Sequence, residues 1–153
     1  MNLTADILRA IKIEPILQIS NINIPKLIST ELNISIDILK NGEISELLKL
    51  NCDWLDSLLR VKDIKSLENI IEKVPNILKK ELETLLEKSR EVNYSNIIIA
   101  PMYYGSLKYY NGVYYRVIDK NLVLCRGGMY EADGISSLGF ALYTDNLLKM
   151  LEG

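Results

Sequence analysis

The sequence predicts an α+β fold in which helices come first, an antiparallel β-sheet follows, and a helix closes the chain. Three observations support this. Apolar residues recur at helical spacing through most of residues 1–90, all nine tyrosines lie between Tyr94 and Tyr143, and helical spacing returns from about Gly139. Helices bury residues three and four positions apart, whereas tyrosine favours strands. We therefore expect residues 1–90 to be helical, and residues 91–153 to be mainly strands with a C-terminal helix.

The first predicted element is a helix whose apolar residues are Leu3, Ile7, Leu8 and Ile11. Pro15 ends it, because the residue before a proline is disfavoured in the helical conformation. Apolar residues dominate the segment that follows, and we predict a short strand over Pro15–Ser20.

Helices are predicted for the rest of the first half. Pro25 suits a first helical turn, Ser66 begins a later helix, and Pro75 interrupts that helix. The other predicted helices are Ile34–Leu39, Ser45–Leu50, Cys52–Leu59 and Asn76–Arg90. The last of these is amphipathic, with Ile77, Leu78, Leu82, Leu85 and Leu86 on one side.

The second half begins with an unbroken apolar strand, Ile97–Ala100, which we predict to be buried on both faces. A hairpin follows, with strands over Tyr109–Ile118 and Asn121–Cys125 and a tight turn at Asp119-Lys120. The closing helix is predicted from about Gly139 to Leu151. Since no segment has the composition of a linker, we expect residues 1–153 to form a single domain.

The composition argues against several function classes. The 20 acidic and 18 basic residues leave a net charge of −2, so there is no basic field for a nucleic-acid backbone. The chain contains no histidine, which excludes Ser-His chemistry and removes the commonest metal ligand. Cys52 and Cys125 lack metal-ligand spacing. No apolar run reaches the roughly 18 residues of a membrane helix. We expect a cytoplasmic protein without metal or cofactor.

Three short segments, taken in order, resemble motifs of histidyl-tRNA synthetases. Residues 105–112, GSLKYYNG, are similar to RGLDYYTG, and residues 127–131, GGMYE, are similar to GGRYD. Residues 138–148, LGFALYTDNLL, resemble VGFALGLDRLL, which is that family's form of class II motif 3. The shared order and spacing imply part of a class II synthetase-like core, namely its C-terminal half.

Four positions depart from those motifs. The arginine that opens the first motif is replaced by Gly105, the aspartate before its tyrosine pair by Lys108, the arginine of the second motif by Met129, and the motif 3 arginine by Asn146. In the family, the first and last of these arginines contact the substrate carboxylate or the ATP phosphates. Loss of one such fixed cation costs about 10²–10³ in rate. Motifs 1 and 2 have no counterpart in this sequence, so the resemblance implies a protein with no catalytic residues for aminoacylation.

These losses favour the regulatory subunit of ATP phosphoribosyltransferase, a synthetase-like protein that has lost aminoacylation. It pairs with a short catalytic subunit in histidine biosynthesis. The alternative is a degenerate or partial histidyl-tRNA synthetase (histidine-tRNA ligase). Half of a class II sheet leaves one strand edge without its neighbour, and such an edge is a docking surface unless helices of the first half cover it. The expected partners are therefore the catalytic phosphoribosyltransferase subunit or a second copy of the chain, together with L-histidine as a ligand.

The resemblance also implies a set of histidine-binding residues: Tyr109, Tyr110, Gly127, Gly128, Tyr130 and Glu131. Tyr110 and Tyr130 would frame the imidazole, since a tyrosine ring can stack while its hydroxyl bonds a ring nitrogen. The glycines would let the backbone approach the ligand, and Glu131 would accept a hydrogen bond from it. The residues alone also allow a structural interpretation, in which the two tyrosines alternate along a strand and the glycines form a bulge or turn.

Overall fold

The computed structural model describes residues 1–105 and 110–152, and within them it has eight helices and a five-stranded sheet. The helices are α1 Asn2–Ala10, α2 Asn23–Glu31, α3 Ile36–Lys40, α4 Ile44–Leu48, α5 Asp53–Leu59, α6 Ile64–Ile71, α7 Asn76–Arg90 and α8 Thr144–Glu152. The strands are β1 Ile16–Asn21, β2 Ile97–Ile99, β3 Tyr110–Asp119, β4 Leu122–Ala132 and β5 Ile135–Leu142. The predicted α+β class is confirmed. None of the helices described is long and apolar enough to span a membrane.

The strand order is β2-β1-β3-β4-β5. The pairs β1–β3, β3–β4 and β4–β5 are antiparallel, whereas β2 adds to β1 in parallel. Helices α2 to α7 lie between β1 and β2 in the sequence. The last of them, α7, packs against β1, as the crossover helix between two parallel strands usually does. Strands β3, β4 and β5 form two successive hairpins, and β3 also packs against α7.

The hydrophobic core lies between the helices and one side of the sheet, which we call the helical face. Leu17 and Ile19 of β1 are completely buried on this face. Helix α7 covers them with its own buried leucines, which are Leu78, Leu82, Leu85 and Leu86. Burial of each such side chain contributes about 1.5–3 kcal/mol, so the contact between α7 and β1 is a main source of stability. The other side of the sheet, which we call the open face, carries Gln18, Ser20, Tyr114 and Arg116.

The predicted closing helix from Gly139 is wrong over its first residues. Ile135–Leu142 is strand β5, and helix α8 begins only at Thr144. The turn that enters β5 is Asp133-Gly134, where both residues have positive φ angles of 53° and 75°. An Asp-Gly pair in this conformation is a strong hairpin signal. The hairpin aligns β5 with β4 over its whole length, and the strand pairing prevails over the helical spacing of a few apolar residues.

Smaller differences concern the ends and exposure of other elements. Asp119 pairs with Leu122, so the turn between β3 and β4 is Lys120-Asn121, one residue later than predicted. Ile98 is 37% exposed because β2 is an edge strand, which contradicts burial on both faces. Ile77 is 41% exposed and does not join the apolar side of α7.

Helix α6 begins at a capping box formed by Asp63 and Ser66. The Asp63 carboxylate accepts a hydrogen bond from the Ser66 backbone N–H at 2.8 Å, and the Ser66 hydroxyl accepts one from the Asp63 N–H at 3.1 Å. Ser66 is thus the third residue of the helix and not its start, as the sequence suggested. The bond from the Ser66 N–H holds the pKa of the Asp63 carboxyl below its ordinary value of 3.8.

The substitution Asp63→Asn is expected to flatten the acid dependence of stability. Because the pKa of Asp63 is lowered by folding, its charge stabilises the protein above the unfolded pKa, and this contribution is lost as the pH falls through the folded pKa. Asparagine keeps the capping oxygen but does not titrate. Urea midpoints of the two proteins, measured from about pH 5 to about pH 2, should converge as the pH falls. Parallel curves would show that the cap carries no pH dependence.

Candidate functional site

Two of the implied ligand-binding residues, Tyr110 and Tyr130, meet on the open face. Strand pairing places Tyr110 opposite Tyr130, and Tyr114 opposite Gly128. Gly128 in turn lies opposite Gly139 of β5. Residues directly opposite each other in a sheet project to the same side, so these five positions share one surface.

A cluster of tyrosine rings forms the floor of this surface. The Tyr110 ring stacks on the Tyr114 ring with centroids 5.4 Å apart and an interplanar angle of 12°, and Tyr103 lies 6.1 Å from Tyr114 on another side. The Tyr114 hydroxyl donates to the Tyr103 carbonyl and accepts from the Gly105 N–H, both at 2.7 Å. Burial raises the pKa of Tyr114, so the phenol stays protonated and holds residues 103–105 against the sheet.

The two glycines of β4 make room for tyrosine rings. A Cβ atom on Gly128 would lie 2.6 Å from the Tyr114 Cβ and 2.9 Å from the Tyr110 ring. A Cβ atom on Gly127 would lie 2.6 Å from the Tyr115 ring, which belongs to the core on the helical face. The space beside each glycine is therefore filled by β3, and neither glycine is left open for the ligand approach that the resemblance implied.

The structure does not bring all six implied residues together. Side chains alternate along β4, so Glu131 projects to the side opposite Tyr130, and it is exposed there. Gly127 also faces the helical side. Tyr109 lies outside the described residues. Of the implied set, Tyr110, Gly128 and Tyr130 lie together on the open face.

Of the three positions where the synthetase motifs carry arginine, Gly105 and Asn146 make contacts that support the fold in this chain. The Gly105 N–H bonds the Tyr114 hydroxyl at 2.7 Å. The Asn146 side-chain amide donates to the Val123 carbonyl at 2.8 Å, which ties α8 to β4. Met129 is 40% exposed on the helical face. The fourth departure, Lys108, lies outside the described residues.

The open face contains a groove of about 360 Å³ lined by Tyr110, Tyr130, Gly139, Phe140 and Ala141. Small-molecule sites commonly begin at about this size. Beside it is a narrow cleft that Tyr110 also lines, together with Arg116 and Arg126, two residues that sequence reasoning did not single out.

A separate, mainly apolar cavity of about 350 Å³ lies on the helical face, where Met1, Val113, Tyr115, Met129 and Leu138 contribute to its walls. Among the residues described, no group of three or more side chains has the composition of a metal site.

Comparison with solved structures identifies the class of fold. The chain superimposes on an ATP phosphoribosyltransferase regulatory subunit/histidyl-tRNA synthetase from Bacillus halodurans with a TM-score of 0.73, at 19% identity, over 99% of this chain and 48% of the other. Histidyl-tRNA synthetase from Nostoc gives 0.69 at 20% identity, over 98% and 45%. The ATP phosphoribosyltransferase (HisG:HisZ) complex from Thermotoga maritima gives 0.53 at 17% identity, over 84% and 53%. The fold is that of a histidyl-tRNA synthetase-like class II core.

Sequence comparison narrows the similarity to one kind of protein with this fold. The chain is 34% identical over 151 residues to the ATP phosphoribosyltransferase regulatory subunit of Wolinella succinogenes, covering 99% of this chain and 52% of the relative. The regulatory subunit of Helicobacter hepaticus is 32% identical over 151 residues, covering 99% and 54%. The chain thus spans about half the length of the curated relatives that it matches. No family model matches. The resemblance predicted from three short motifs is confirmed.

The substitution Gly128→Ala is expected to lower the free energy of unfolding by about 1–3 kcal/mol, the usual cost of overpacking. The added methyl group would meet the Tyr114 backbone at 2.9 Å as well as two side chains, so the strand itself has to shift. Urea denaturation measures the change.

The matched control is Gly139→Ala, which adds the same group on the same face at the position directly opposite. Its nearest contact is the Tyr130 ring at 3.2 Å, a side chain that can yield, so a much smaller loss is expected. Equal losses for the two variants would contradict the role assigned to Gly128.

Proposed function

We propose that this chain functions as a regulatory subunit of ATP phosphoribosyltransferase in histidine biosynthesis. The observation that carries the proposal is the identity of 34% and 32% to two regulatory subunits over 151 of its 153 residues. The solved structures share its fold and include histidyl-tRNA synthetases as well, so they do not favour one function over the other.

The proposal includes the absence of catalysis by this chain. Of the positions where the synthetase motifs have arginine, Gly105 and Asn146 are engaged in backbone contacts. Met129 projects to the helical face. An adenylation reaction needs fixed cations opposite the developing phosphate charge, and these motif positions supply none. A regulatory role requires only that the chain binds a partner and a small molecule.

The proposed small molecule is L-histidine, and its proposed location is the groove on the open face. Tyr110 and Tyr130 stand opposite each other there, and the groove is large enough for an amino acid. Gly139, Phe140 and Ala141 line the side formed by β5. An imidazole ring placed between the two phenols would have an aromatic surface and hydroxyl groups within the same site.

The proposed contact for a further polypeptide is the outer edge of β5. Strand β5 is the last strand of the described sheet, so its outer backbone groups are available for pairing. Its sequence, ISSLGFAL, contains no charge, and Leu138 is 75% exposed. An uncharged edge strand of eight residues is the kind of surface to which another strand adds. We propose that the catalytic subunit or a second copy of the chain pairs with this edge. We also propose that residues 1–153 fold as one domain.

Reconstitution tests the proposed function. Adding the full chain to a short-form catalytic phosphoribosyltransferase subunit should raise its rate and make that rate sensitive to L-histidine. The variant Leu138→Lys, which places a charge on the proposed edge, should weaken this effect. Leu3→Lys is the matched control and should leave the effect intact, because the Leu3 side chain is 61% exposed on α1.

A second assay distinguishes the regulatory function from the alternative, a histidine-tRNA ligase. Pyrophosphate exchange with L-histidine and ATP should give no rate above a control without protein. Exchange above that control, together with no effect on the phosphoribosyltransferase, would replace the regulatory function with that of a histidine-tRNA ligase.

A further inference from the structure

Two arginines lie directly opposite each other on the open face. Arg116 of β3 pairs with Arg126 of β4 in the strand register, and both side chains line the narrow cleft beside the histidine groove. Like charges at directly opposite positions destabilise a sheet. The whole chain has a net charge of −2, so an excess of basic residues does not account for the pairing.

Nothing of opposite charge neutralises this pair among the residues that the structure describes. Neither arginine is within ion-pair distance of a carboxylate there, and the described ion pairs all join side chains of the helical half. Across the sheet, the next residues in the same row are Gln18 on one side and Ala141 on the other, both uncharged. The described sheet thus presents two positive charges side by side.

The guanidinium group of Arg116 is held in a fixed orientation. Its Nη2 and Nε donate to the Gln18 Oε1 at 2.9 and 3.3 Å, and its plane lies over the Tyr103 ring at 3.9 Å from the centroid. Arg126 lies 5.9 Å from the centroid of the Tyr143 ring. Contacts with a neutral amide and with aromatic rings orient a guanidinium group without cancelling its charge.

The cleft that both arginines line is small. Its volume of about 10 Å³ is at the lower limit for holding a single water molecule or one oxygen atom. Tyr110 lines both this cleft and the larger groove that contains Tyr130. The cleft and the groove therefore adjoin at Tyr110.

We propose that Arg116 and Arg126 form an oxyanion subsite that binds the carboxylate or phosphate group of a small ligand seated against Tyr110 and Tyr130. Guanidinium groups make short, charge-assisted hydrogen bonds to such groups, and the bound negative charge removes the repulsion between the two arginines. The subsite supplies cations from positions outside the synthetase motifs. It deepens the proposed function and rests on it only for the identity of the ligand.

Calorimetric titration of the full chain tests this subsite with three probes: L-histidine, L-histidinol, which lacks the carboxylate, and inorganic phosphate. L-histidine should bind at least about tenfold more tightly than L-histidinol, as expected for loss of a charge-assisted hydrogen bond. Arg126→Gln should weaken L-histidine binding by a similar factor. The matched control is Arg60→Gln, which removes an exposed arginine at the end of α5 and should leave binding unchanged.

A thermal melt of the unliganded proteins separates ligand binding from folding. Arg126→Gln removes a like-charge repulsion, so its melting temperature should equal or exceed that of the parent chain, whereas L-histidine should stabilise it less.

The titrations have other outcomes. Phosphate binding to the parent chain that is weakened in Arg126→Gln, with no L-histidine binding to either protein, would support the subsite with phosphate as its ligand. Equal affinity for L-histidine and L-histidinol, unchanged in Arg126→Gln, overturns the subsite and leaves the proposed function intact. Failure to bind any of the three probes also overturns it, whereas only the reconstitution assay decides the regulatory function.

Discussion

The packing of the β3 tyrosine rings against the two glycines of β4 shapes the core on the helical face and the candidate site on the open face. Gly127 admits the Tyr115 ring on the helical face, where the Tyr115 hydroxyl shares a buried hydrogen bond of 2.6 Å with Thr4 and thereby ties α1 to the sheet. Burial raises the pKa of Tyr115 to about 12, so this hydroxyl remains protonated. Gly128 admits Tyr114 and, through it, the stacked Tyr110 ring on the open face. The docking of α1 and the floor of the candidate site thus depend on the same two positions without side chains.

The two faces that this constraint creates have different chemistry. The helical face is apolar and carries the packing that stabilises the chain, whereas the open face buries Gln18 and Ser20 and places two arginines in one row. Polar and charged groups on a partly buried surface contribute little to stability, and their concentration on one face is typical of a binding site.

Sequence reasoning succeeded where one local pattern decided the structure. The apolar spacing of α7 and the proline before β1 predicted both elements, because periodicity and proline act within a few residues. It failed for β5, where the Asp133-Gly134 turn was the available signal and the spacing of the apolar residues from Gly139 favoured a helix. The meeting of Tyr110 and Tyr130 depends on a register that shifts between Tyr110 and Tyr114, and spacing alone does not give such a shift. The pairing of Arg116 with Arg126 likewise depends on a register shift, between Val117 and Ile118, so counting from the hairpin turn does not give it. By contrast, the alternation along β4 separates Glu131 from Tyr130, and sequence reasoning could have reached that result.

We propose that the open face, with its tyrosine-lined groove, is the ligand-binding side of this chain. A crystal structure determined at saturating L-histidine tests it most directly, because the helical face offers a competing cavity of similar volume near Met1 and Tyr115. We expect ligand density between Tyr110 and Tyr130, with the carboxylate directed toward Arg116 and Arg126. Density in the cavity on the helical face, or a groove that stays empty at full saturation, would contradict it.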